Sequence, residues 1–361
     1  MLPYWILFVV PAFFAASRLR PMSYIALSSQ HDRWPHVWRV IYISLVLMIG
    51  LRHEVGGDWV QYIEMLDSYT DTTTEDKFGF QDPAFVLFNK LATWSGAGVY
   101  LLNLLSAIFF SWGLVVFCRE QPRPWLALVV AVPYLIIVVA MGYTRQGVAI
   151  GIAMAAMVAV GQGNTFRFIL WIALAALFHK SAIILIPMAI LASTKRRILT
   201  LIWVTVAGLI LYALLLQEAA SFLVFGYLES QYQSSGAAVR IAMNAVPGAL
   251  FLLLRKRFQL SPEQRSFWTW MAWSALLFVP LLIVSPSSTA VDRVALYWIP
   301  LQLFVLSRLP NALGQKNGKN VVLVYVVVAY SAAVQFVWLV LADTAFAWLP
   351  YQFYPWVWLW R

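Results

Sequence analysis

Apolar residues in this chain come in runs, from Leu2 to Leu341, with only short polar stretches between them. A run of about 17 to 25 mostly apolar residues is long enough to cross a bilayer as a helix, and a span can be shorter where the protein shields a site. On that measure twelve spans are predicted, near residues 2–17, 38–51, 98–117, 124–141, 145–161, 166–178, 181–193, 199–216, 237–254, 266–284, 293–309 and 321–341. Residues 84–95 (AFVLFNKLATWS) are apolar at helical spacing but too short to cross, which predicts an interfacial helix leading into the third span. The Trp-rich end, AWLPYQFYPWVWLWR, is predicted to be an interfacial anchor over 342–361. No stretch is long or polar enough to fold apart from the membrane. The expectation is an all-α, polytopic membrane protein with one domain over 1–361 and outward loops at 52–97, 217–236 and 285–292. The first run has no basic residue before it and no small-residue cleavage site, and reads as a span.

Composition agrees. A chain that is 62% hydrophobic and 11% charged, with 18 Trp among 361 residues, is excluded from the soluble class. The single cysteine, Cys118, excludes an internal disulfide and any cysteine-based metal cluster. The net charge of +10 needs its distribution before it means anything. Of the 25 Lys and Arg, 17 fall in alternate loops and at their span edges, among them 18–20, 195–197 and 255–257, with only three acids beside them. Short loops rich in Lys and Arg stay cytoplasmic, which places both termini outside. The basic excess is thus an orientation signal, and no nucleic-acid partner is expected.

The outward face then holds the unusual polar groups. LRHEVGGDWVQY sets Arg52 and Asp58 directly after the apolar run VIYISLVLMIG. Arg145 opens the fifth span in MGYTRQGVAIG, His179 and Lys180 fill the turn in LFHKSAI, Arg240 lies just inside the ninth span, and Asp292 and Arg293 open the eleventh. Arginines loaded on this side work against insertion, so a functional role is the default reading. Each has a plainer alternative: Arg52 can pair with Glu54 or Asp58, Arg293 with Asp292, and a lone His in a turn can be structural. Their coincidence at one leaflet, with no charge at the middle of any span, points instead to a site at the outer edge. The 13-residue sixth and seventh spans rise only about 20 Å against a core of about 30 Å, so the turn holding His179 is predicted to be recessed in a shielded cavity. Gly147 and Gly151 form a GxxxG step below Arg145 that is expected to pack this helix against its neighbours.

Several motifs in order resemble the EpsG-like branch of the Wzy-type bacterial polysaccharide polymerases. Arg52, Gly56, Asp58 and Tyr62 match that family's R-x-x-x-G-x-D-x-x-x-Y signature, and DPAFVLFNKL its acidic-Pro segment, with Asp82 where Glu is commoner. TRQGVAIGIAMA is similar to its RQ-x-x-A helix start, FHKSAI to its His-x-Ser-Ala turn, and DRVALYWIP to its late Arg helix with a following Tyr. Together these motifs span residues 52 to 297, and no large soluble loop of the kind other Wzy-type polymerases carry is present. The resemblance implies a GT-C-like membrane glycosyltransferase in the bacterial cytoplasmic (inner) membrane. It would polymerise oligosaccharide repeat units carried on undecaprenyl diphosphate at the periplasmic or exterior face. Donor and acceptor are then lipid-linked oligosaccharides, and a chain-length regulator and other polysaccharide-assembly proteins are candidate partners.

Such chemistry suits the residues. Arginine offers permanently charged, bidentate contacts to diphosphate, and a leaving diphosphate gains charge in the transition state. Arg52, Arg145 and Arg293 are expected to bind it, with Arg240, which no motif covers, as a fourth. Either His179 or Asp58 can take the proton from the incoming hydroxyl. Tyr62, Tyr143, Gln146, Lys180 and Tyr297 are expected to position substrate. No His or carboxylate cluster has metal-ligand spacing, so neither metal nor cofactor is expected. Two alternatives stay open: a ligase or glycosyltransferase that transfers once, and a flippase for the same lipid. A transporter typically carries midplane polar groups and broken helices in matched halves, and neither is evident.

Overall fold

Proline and side-chain caps start half of the helices. In a computed structural model of the chain, residues 1–21, 34–68, 82–188, 233–234, 236–315 and 318–359 are described, with isolated positions between 198 and 209. Helices α1 (Leu2–Ser17), α4 (Pro83–Trp94), α6 (Pro124–Ala131), α10 (Pro262–Val284) and α12 (Ile299–Leu313) carry Pro in their first two positions, where its missing N–H costs nothing. A Ser261–Gln264 capping box also opens α10, the Asn164 side chain caps α8 (Thr165–Phe178), and Ser287 caps α11 (Ser288–Ala295). The other helices are α2 (His36–Gly50), α3 (Trp59–Ser68), α5 (Gly98–Arg119), α7 (Thr144–Gly161), α9 (Ala237–Leu254), α13 (Val321–Leu341) and α14 (Tyr354–Leu359).

The described fold is all-helical apart from one two-residue strand pair. Among the described residues, six helical stretches are long and apolar enough to cross a membrane: α5, α7, α9, α10, the continuous Ser288–Leu313 and α13. Four shorter apolar helices, Leu2–Ser17, His36–Gly50, Pro124–Ala140 and Thr165–Phe178, run among them. Of the predicted spans, 181–193 is described only as far as Met188, and 199–216 lies largely outside the described residues.

Contacts at the helix ends define two faces of the bundle. At one, the Tyr4 hydroxyl donates to the Trp348 carbonyl, and Arg52 at the end of α2 reaches Asn103 of α5 and Thr144 of α7. At the other, Arg123 before α6 donates to the Leu19 and Gly318 carbonyls and to Asn311. Helix α7 is the most enclosed of the six, which sets Arg145 at its start near the centre of the first face. Gly151 explains part of that enclosure, because an added Cβ would run into the Phe110 backbone of α5. The predicted close approach at the GxxxG step is therefore within the same chain, Gly151 to α5 and Gly147 to the Val139–Ala140 backbone.

Three features differ from the sequence reading. Residues 59–68, read as part of an acidic loop, form α3, with Trp59, Tyr62, Met65 and Leu66 buried on one face. Their helical spacing was masked by the acids around them. Asp292 and Arg293 lie in the second turn of α11 rather than opening a span at 293. The C-terminal segment does more than lie at an interface: strand β1 (Arg52–His53) pairs antiparallel with β2 (Gln352–Phe353), and the buried Trp348 indole donates to the Ile137 carbonyl at 2.7 Å. Its outer residues Trp356 and Trp358 remain exposed. The Ile137 carbonyl lies in a π-helical continuation of α6 (Val132–Ala140), whose altered backbone turn is a common feature near functional sites.

Candidate active site

The loop after α2 is fixed before any substrate is considered. Gly56 has φ +111°, an added Cβ there would strike the Met141 carbonyl, and its N–H donates to the Ala347 carbonyl at 2.8 Å. Arg52, buried at 1% exposure, spends four of its five donor hydrogens inside this frame. They go to the carbonyls of Val55 (3.0 Å) and Ile49 (2.6 Å), to Asn103 Oδ1 (2.9 Å) and to Thr144 Oγ1 (2.8 Å). Its place in the signature is thus that of a bracket between loop, α5 and α7. Asn103 and Thr144 were not singled out in the sequence; a lone Asn within the apolar run of α5 was the available signal.

That bracket presents Asp58, which is half-buried, with no hydrogen bond or ion pair to its carboxylate among the described residues. Burial raises its pKa, while Arg293, Arg145 and Arg52, in that order, oppose the rise. Tyr62, on α3, is buried, and its hydroxyl accepts the Arg145 backbone N–H at 3.3 Å, satisfying one of the free N–H groups at the start of α7. Arg145 extends over the Phe85 ring and reaches Asp82 Oδ2 at 3.7 Å.

Asp82 ties two site elements together. Its Oδ1 accepts the Lys180 backbone N–H at 3.0 Å, so one carboxylate holds both the 179–180 turn and Arg145. Burial lifts its pKa to about 6 against the pull of Arg145 and Lys180. Removing a buried acceptor of a charge-assisted bond costs about 2 kcal/mol. Asp82→Ala should lower thermal stability and polymer formation together, whereas Asp82→Asn, which keeps an acceptor for the turn, should lose activity with a smaller change in Tm. Equal Tm losses would show that the carboxylate charge holds the turn.

His179 ends α8 with an extended backbone (φ −158°, ψ 112°), and a 3-10 turn over Lys180–Leu185 follows. Its Nδ1 is 2.5 Å from Ser181 Oγ and 3.4 Å from the Tyr297 hydroxyl, while Nε2 has no partner among the described residues. Burial, then Arg145, Arg293 and Lys180, push the imidazole pKa down to about 3, so the ring is neutral.

The remaining two arginines part company. Arg240 is bound through Nε and Nη2 to both oxygens of Asp292, at 2.8 and 2.7 Å, and also donates to Ser234. Arg293 stacks 3.9 Å over the Tyr143 ring and makes no side-chain hydrogen bond or ion pair among the described residues. Gln146 donates to the Arg293 carbonyl at 2.6 Å, so it positions this arginine through the backbone. Of the residues the sequence singled out, the structure thus brings Asp58, Arg145, His179, Lys180, Tyr143, Tyr297 and Arg293 close to one another through stacking, hydrogen bonds and electrostatic coupling. Arg52, Arg240, Gln146 and Tyr62 form the frame of this group. Asp82 and Ser181, present in the quoted motifs but not among the expected site residues, complete it.

A helical chain with stretches long and apolar enough to cross a membrane thus sets the Arg145 and Arg293 guanidinium groups near the Asp58 carboxylate and the neutral His179 imidazole. The chain belongs to the EpsG family, whose sequence profile matches residues 36–353. Comparison with curated proteins and with solved structures found no match.

Proposed function

We propose that this EpsG-family chain is a polysaccharide polymerase that joins oligosaccharide repeat units carried on undecaprenyl diphosphate. The observation that carries the reading is the placing of the Arg293 guanidinium, which makes no side-chain hydrogen bond or ion pair among the described residues, and of Arg145 near two groups able to accept a proton, His179 Nε2 and the Asp58 carboxylate. In the reaction the acceptor hydroxyl oxygen attacks the anomeric carbon of the donor, and the bond from that carbon to the diphosphate oxygen breaks. The hydroxyl proton passes to His179 Nε2, with Asp58 orienting the hydroxyl. The leaving diphosphate takes up negative charge, which Arg293 and Arg145 stabilise through fork-shaped donors already in place.

This reading puts the site at the outer face of the bacterial cytoplasmic membrane, with twelve crossings, a GT-C-like architecture and both termini outside. A lipid diphosphate sits at that boundary with its sugar in water. Donor, acceptor and bilayer are the partners, joined by a chain-length regulator and other assembly proteins in the cell.

The purified chain in proteoliposomes, given one lipid-diphosphate repeat unit, should produce a ladder of lengthening products. Because guanidinium groups do the cationic work, the ladder should persist in EDTA. A single added unit would mark a ligase or single-transfer enzyme, and donor crossing the bilayer with no new glycosidic bond a flippase. Loss of product in chelator, restored by magnesium or manganese, would count against the proposed use of the arginines.

A further inference from the structure

We infer that Trp348 is a positioning residue of this site, its indole a wedge that sets the spacing between the loop carrying Asp58 and the turn carrying Tyr143 and Arg145. The inference deepens the proposed function and rests on it for the roles of those residues; the wedge itself rests on contacts alone. Trp348 closes a 3-10 turn over Ala345–Trp348, after α13, and is 2% exposed.

Glycines on both sides admit the ring. An added Cβ at Gly142 would overlap Cζ2 of the indole, and one at Gly57 would stand 3.6 Å from Cη2. Gly57 directly precedes Asp58, and Gly142 directly precedes Tyr143, whose ring lies under the Arg293 guanidinium. Main-chain bonds join the same segments around the ring: the Gly56 N–H donates to the Ala347 carbonyl at 2.8 Å, and the Asp58 N–H to the Gly142 carbonyl at 3.3 Å. The far edge of the indole therefore fills the space between two segments that both lack a side chain there.

The wedge is itself held from three directions. Its N–H donates to the Ile137 carbonyl in the π-helical end of α6 at 2.7 Å, and its backbone carbonyl accepts the Tyr4 hydroxyl of α1 at 2.8 Å. Trp338 of α13 meets it edge to face, with ring centroids 5.4 Å apart. A tryptophan is rigid, with two side-chain torsions, so a ring fixed in this way does not follow a displaced loop. The spacing it sets matters to the proposed reaction. Asp58 orients the attacking hydroxyl and Arg293, on Tyr143, meets the leaving diphosphate, at opposite sides of the carbon under attack. Misplacing such groups by about 1 Å costs about 10²-fold in rate.

Four chains test the wedge: wild type, Trp348→Phe, Gly142→Ala and the double substitution. Phenylalanine lacks the Cζ2–Cη2 edge and opens a gap, alanine at 142 pushes against that edge, and in the double variant the new methyl takes space that the shorter ring vacates. Amide hydrogen exchange of the purified protein in detergent, read on peptides over 55–59 and 141–145, follows the Gly56 and Asp58 N–H bonds independently of activity. Each single variant is expected to exchange about ten-fold faster there, with α5 unchanged, and the double variant to return toward wild type. Turnover should fall about ten- to hundred-fold in each single variant, with donor affinity within a few fold, and recover in part in the double variant. Should Trp348→Phe not fold, Gly142→Ala alone carries both readouts. Exchange that is unchanged in these peptides, or raised equally along the chain, overturns the wedge. Exchange that rises locally as expected, while turnover stays at the level of a polymer-forming wild type, overturns the positioning role. A wild type that forms no polymer, beside the expected local exchange, defeats the proposed function and leaves the wedge standing.

Discussion

Replacing Arg293 with lysine is expected to cut the rate of chain lengthening by about 10² to 10³, the range for loss of one preorganised donor to a developing anion. Charge is conserved in this substitution, so the loss comes from geometry. The guanidinium stacks flat on Tyr143 at 3.9 Å, and its backbone is fixed by Gln146. An ammonium on a flexible stem offers neither the flat stack nor the fork that meets two phosphate oxygens. Because the diphosphate gains charge as its bond to the sugar breaks, kcat should fall further than donor affinity. Arg240 provides the internal contrast. Already bound to both oxygens of Asp292, it has its fork committed, and Arg240→Lys should register in thermal unfolding while folded protein retains most turnover. Initial rates and donor affinities of the two purified variants separate the cases. An Arg293→Lys chain within about three-fold of wild type, beside a folded but inactive Arg240→Lys chain, would reverse the assignment.

That contrast could not be drawn from sequence, and the reason is geometric. Asp292 and Arg293 are neighbours in the chain, which makes an ion pair between them the natural reading. On a helix, adjacent residues do not face each other. Within α11 the aspartate turns to Arg240, 52 residues away, and the arginine turns to Tyr143. Arg52 is a similar case, because its partners Asn103 and Thr144 lie 51 and 92 residues downstream and no local pattern pairs them. What could be read was whatever depends on local chemistry or on runs of residues: the apolar segments, the Pro and Ser starts of helices, and the gathering of unusual charges at alternate loops. The motifs also marked Asp82 and Ser181, although their roles emerge only where α4, α7 and the 179–181 turn meet. Helix α3 was missed although Trp59, Tyr62, Met65 and Leu66 fall at helical spacing, because the acids in and after it suggested a solvated loop.

His179→Gln should lower turnover by about 10² to 10⁴, the range for general base catalysis, and leave donor affinity within a few fold. Glutamine keeps a polar side chain of similar reach but has no basic nitrogen. The structure sharpens the pH behaviour expected of the wild type. A base must be neutral, and an imidazole held down to about 3 by burial, Arg145, Arg293 and Lys180 is neutral across pH 5 to 8. The profile of kcat/KM, which reports the free enzyme, should therefore show no inflection from His179 near the ordinary histidine value of about 6.5, and a limb near 6 belongs to Asp82, whose carboxyl burial lifts to about 6. Donor binding changes this, because a diphosphate placed on the same arginines cancels part of the positive field that depresses the ring. The pKa in the complex must then lie above that in the free protein, and the His179 limb of kcat, which reports the complex, should fall with acid at a higher pH than that of kcat/KM. A phosphate-binding imidazolium predicts the reverse sign, with donor affinity weakening as pH rises through its pKa. Asp58→Asn is the companion measurement. As an orienting group with its carboxylate unpaired among the described residues, Asp58 should contribute less than His179, and its loss should leave the kcat profile with the same acid limb. Were Asp58→Asn to erase that limb while His179→Gln kept it and lost donor binding instead, the proton would pass to Asp58, and His179 would belong to the diphosphate.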